Sequence, residues 1–121
     1  VADITCDEWD AYMDTALKGA FNSTAIALRA MREGEGPGVV VNMARFGLQA
    51  GPGLGLYSAS RAAILSLTET ANAEAARDSL PITSYLVDCE SDMYDVEDEV
   101  VRLVTDLCTG TYRGGPGLVR V

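Results

Sequence analysis

Tyr57 and Arg61 stand four residues apart in the run Tyr-Ser-Ala-Ser-Arg. On a helix that spacing is one turn, so both side chains leave the same face. A phenol beside a fixed cation is a candidate proton donor, because nearby positive charge favours the phenolate. Arg45 is a candidate anchor for an anionic group. Asp88, Glu90 and Asp92 alternate and could offer oxygens to a divalent cation. The EF-hand pattern wants Gly at its sixth position and Met93 stands there, so a solvated acidic loop is expected instead. Cys89 is a possible nucleophile, but no base lies near it in the sequence. The chain contains no His, which removes the commonest general base and the commonest zinc ligand.

The 121 residues suffice for one domain. At 48% hydrophobic and 22% charged, the chain can build a core and does not have a disordered composition. A net charge of −9 leaves no basic footprint, which argues against nucleic acid and anionic membrane as partners. No run approaches the ~20 apolar residues of a membrane span. The acidic start lacks the apolar core of a signal peptide. It also lacks Met, so the chain is expected to be trimmed or part of something longer. Cys6, Cys89 and Cys108 are odd in number and unpaired by spacing, which suits free thiols in a reducing cytoplasm.

These residues need elements to hold them. Thr5 and Glu8 form a capping box that opens a helix over about 6–32. Trp9, Met13, Ala16, Leu17, Ala20, Phe21 and Leu28 recur along it at helical spacing. Gly-Glu-Gly-Pro-Gly (34–38) ends it. The apolar, β-branched run 38–44 suits a strand buried on both faces. A glycine-rich loop (47–55) precedes a second helix over about 56–78, with Pro81 beyond its end. Residues 81–88 read as a second strand. A third helix over 95–110 carries acids in its first turn, where the helix dipole favours them, and Val100, Leu103, Val104 and Leu107 as its stripe. Residues 117–121 make a last strand. Strands alternating with helices imply a parallel sheet with right-handed crossovers. The strand at 38–44 would have no neighbour on one side, and an apolar open edge invites another chain.

In this order, the elements resemble the C-terminal half of a short-chain dehydrogenase/reductase. Glu-Trp-Asp-Ala-Tyr-Met-Asp-Thr-Ala-Leu-Lys-Gly-Ala-Phe resembles that family's central helix. Residues 38–68 resemble its catalytic strand, loop and helix, with Pro-Gly-Leu-Gly-Leu-Tyr-Ser-Ala-Ser-Arg as the most specific part. The last helix and strand fit as well. The resemblance implies an α/β, truncated Rossmann-like fold: about three parallel strands, two long helices on one face and one on the other. It also implies nicotinamide chemistry, a Tyr acid/base at Tyr57 and dimers through the two long helices. Position by position, the family's Ser is Ala44, with Arg45 beside it. Its Lys is Arg61, its helical Asn is Ala16, and its Pro-Gly is Cys89-Glu90. Its glycine-rich dinucleotide turn has no counterpart, since Gly-Pro-Gly-Leu-Gly (51–55) follows a loop and not a strand. Halohydrin dehalogenases, a non-redox branch of the family, share the Tyr-x-x-x-Arg element but keep the Ser.

Three functions follow as expectations. The favoured one is a partner-associating homologue without redox chemistry of its own. It would be a homodimer through the helices near 6–32 and 56–78, or would pair with a full-length homologue. The second is a cofactor-independent lyase, isomerase or cyclase using Tyr57 and Arg61 on a small molecule, with Arg45 and Ala44 lining the substrate place. The third is a piece of an NAD- or NADP-dependent enzyme, where the cofactor binds only if another chain completes the site.

Overall fold

The computed structural model describes residues 1–34, 36–45, 50–89 and 97–121, apart from the side chain of Arg45. The elements run α1 (Cys6–Glu33), β1 (Gly38–Arg45), α2 (Gly55–Arg77), β2 (Ile82–Cys89), α3 (Glu97–Thr109) and β3 (Gly117–Arg120). The capping box forms as its spacing predicts. The Glu8 N–H donates to Thr5 Oγ1 at 3.2 Å, and the Thr5 N–H donates to Glu8 Oε2 at 2.8 Å. The bond from the Thr5 N–H, and then one from the Thr5 hydroxyl to the same Oε2 at 2.8 Å, stabilise the ionised carboxylate and hold Glu8 below the usual carboxylate range.

The strands form one parallel sheet in the order β1-β2-β3. β1 and β2 pair along their whole length, from Gly38 opposite Ile82 to Arg45 opposite Cys89. β3 joins late, with Gly117 opposite Tyr85 and Arg120 opposite Asp88. Successive strand residues face opposite sides, so β2 carries two cores. Leu86 packs with Ala44, Ile64 of α2 and Leu17 and Ala20 of α1. Val87 and Cys89 pack with Leu107, Leu103 and Val100 of α3. The two long helices therefore share one face and α3 covers the other.

Two expectations need correcting. Both pairings are parallel and the strands step one way across the sheet. Crossover helices on opposite faces then require crossovers of opposite hand, so one departs from the right-handed rule. The cause is the apolar stripe of α3. With α1 and α2 occupying one face, only the Tyr85–Val87–Cys89 face remains for it. In addition, β1 is not buried on both faces. Val40 and Ala44 are buried, while Met43 on the α3 side stays 39% exposed.

Asn72 of α2 completes the sheet where β3 has not yet begun. Its Nδ2 donates to the Ser84 carbonyl, and its Oδ1 accepts from the Ser84 N–H, both at 2.8 Å. Backbone groups of alternate strand residues point the same way. Since the Asp88 carbonyl accepts from Val121, the Ser84 groups face the β3 side too. One side-chain amide thus replaces one strand residue. Asn72→Ala strands a backbone donor and acceptor, and is expected to cost about 2 kcal/mol in urea unfolding. A variant as stable as the parent would show that water satisfies Ser84 equally well.

Candidate functional site

The candidate site lies where α2 begins, beside the carboxyl ends of β1 and β2. Gly51-Pro52-Gly53-Leu54 is a tight turn closed by the Leu54 N–H donating to the Gly51 carbonyl at 3.0 Å. Pro52 fits its second position, and Gly53, at φ +78°, supplies the left-handed third position of a type II turn. The glycines at 51–55 therefore launch the helix. Gly55 leaves room for the N-terminal segment, since a Cβ there would sit 3.3 Å from Val1 and 3.4 Å from Ile4.

Tyr57 and Arg61 come together as their spacing predicts. The guanidinium carbon of Arg61 sits over the Tyr57 ring, 5.0 Å from its centroid. This is a cation–π contact, worth about 0.5–1 kcal/mol where partly solvated. Arg61 Nε is buried and makes no hydrogen bond among the described residues. Ser60 Oγ donates to the Tyr57 carbonyl at 2.8 Å and stiffens the same turn. Both site side chains are half-buried.

Ala44 ends 3% exposed, its methyl against Ile64 and Leu86. It offers no side-chain donor to a substrate. Ala16 is half-buried on α1. The side chain of Arg45, together with Glu90, Asp92 and Met93, lies outside the described residues. Among those described, no group of three potential metal ligands converges.

Sequence reasoning missed the row made by Ala44, Asp88 and Arg120, which register places side by side on the α2 face. Asp88 is 1% exposed, and Arg120 Nε lies 3.9 Å from its Oδ2. Arg120 alternates with buried Val119 in Gly-Leu-Val-Arg-Val, and that alternation was the available signal. Cys89 points the other way, toward α3. Burial, and then the charge of Asp88, push its thiol pKa up. That is the opposite of what activates a nucleophile.

The chain matches the short chain dehydrogenase family over residues 1–91 and belongs to it. It is 40% identical over 77 residues to the (5R,7aS)-5-hydroxy-7a-methyl-1-oxo-2,3,5,6,7,7a-hexahydro-1H-indene-carboxyl-CoA reductase of Mycobacterium tuberculosis, covering 63% of this chain and 29% of that protein. It is 31% identical over 85 residues to an uncharacterized oxidoreductase of Staphylococcus aureus (strain USA300), covering 69% of this chain and 36% of that protein. The chain thus spans about a third of the length of these relatives. Members of this family ordinarily use NAD or NADP. Among the described residues, Arg61 Nε is an orphaned buried donor, and no helix opens from a glycine-rich turn directly after a strand. No helix among the described residues is long and apolar enough to cross a membrane.

The thiols supply a check on this geometry. Cys6 and Cys108 are exposed and Cys89 is buried. Two thiols are expected to react promptly with a disulfide reagent in the folded chain at mildly alkaline pH, the third only in denaturant. Tyr85 is likewise pushed up, by burial and then by Tyr112. A raised folded-state pKa gives stability that is present below the unfolded value and lost as pH rises through the folded one. Unfolding free energy should therefore fall from about pH 8.5 upward, as Cys89 and then Tyr85 ionise. Three fast thiols, or a flat alkaline profile, would contradict the burial described.

Proposed function

We propose that this chain acts by association, as one part of a short-chain dehydrogenase unit, and carries out no hydride transfer by itself. The observation that carries this reading is the bare edge of β1. Its eight residues pair with β2 on one side and with no described strand on the other. Parallel strands are ordinarily interior, so this edge asks for a neighbour. The surface area agrees. The chain exposes 7680 Å² at 12.8 kDa. A compact monomer of that mass exposes about 6,300 Å². The excess, about 1,400 Å², exceeds the ~800 Å² that one partner contributes to an ordinary stable interface.

The site chemistry points the same way. The positive charge of Arg61 rests on the ring face of Tyr57 and is already engaged there. Where the family presents a Ser to the carbonyl, Ala44 presents a packed methyl. The place that remains for chemistry is a completed unit, in which a second segment pairs with β1 and brings a dinucleotide turn. Completion through β1 would make an oxidoreductase of the general class to which the two relatives' names refer.

Calorimetry of NAD(H) and NADP(H) against the 121-residue chain tests the first half, with no saturable heat expected. Clear binding would overturn it. Light scattering tests the second half: the chain should associate, with itself or with the partner, at micromolar concentration. A monodisperse monomer across that range, and with candidate partners added, sinks the association.

A further inference from the structure

We draw no further inference here: the strongest candidate, the apolar strip of Val39, Val41 and the exposed Met43 on the α3 face of β1, belongs to the bare edge on which the proposed association already rests, and nothing in the structure shows what covers it.

Discussion

Everything in this structure hangs on β2. Leu86 and Val87 are adjacent, point to opposite faces and are both 0% exposed. Each contributes about 1.5–3 kcal/mol of transfer free energy, and each anchors a different core. Remove β2 and the helices lose the surface that orders them. The same burial explains why a carboxylate at Asp88 needs Arg120. Taking a charge out of water costs several kcal/mol, and Arg120, one strand over in register, offsets part of that. It also explains Asn72. A central strand cannot leave a donor and an acceptor unpaired, so where β3 is too short a side chain takes its place.

The start of α2 inherits its chemistry from this frame. A tight Gly-Pro-Gly turn sets the helix, and the helix sets Tyr57 and Arg61 one turn apart. Sequence alone places a cation near a phenol, but the face of the phenol it meets decides its effect. Over the ring, the guanidinium answers the quadrupole and packs. The contact, 5.0 Å from the centroid, is of that kind. Arginine suits it better than lysine would, because a planar, weakly hydrated cation stacks where an ammonium stays hydrated.

The elements were legible because their signals were local. The Thr5–Glu8 box, the proline and glycine punctuation and the β-branched run 38–44 each encode a boundary within a few residues. The bare edge of β1 was legible too, by counting strands. The opposite-handed crossover was not, because it depends on which face α1 and α2 leave free. Asn72 was invisible for a related reason. An amide in the middle of a helix looks like a solvated residue until the short length of β3 is known. At the site, residue types and spacing brought Tyr57 and Arg61 together correctly, but the stacking was hidden. Asp88 read as one of an alternating acidic series, although it ends buried and paired across the sheet.

The two edges of the sheet differ in a way that bears on association. β3 offers four residues, is preceded by Pro116 and ends on the exposed Arg120. Shortness, proline and charge are the devices by which soluble proteins keep strangers off a sheet edge. β1 shares two of these features, since Pro37 precedes it and Arg45 ends it, but it lacks the third. It is twice as long, and an exposed Met43 stands on it. Among the described residues, length is therefore what separates the two edges. Excess surface alone would suggest only a loosely packed protein. A row of eight backbone units with no described strand beside it is more specific, because another strand in register satisfies the whole row at once. That difference in length is what makes β1 the edge on which the proposed association rests.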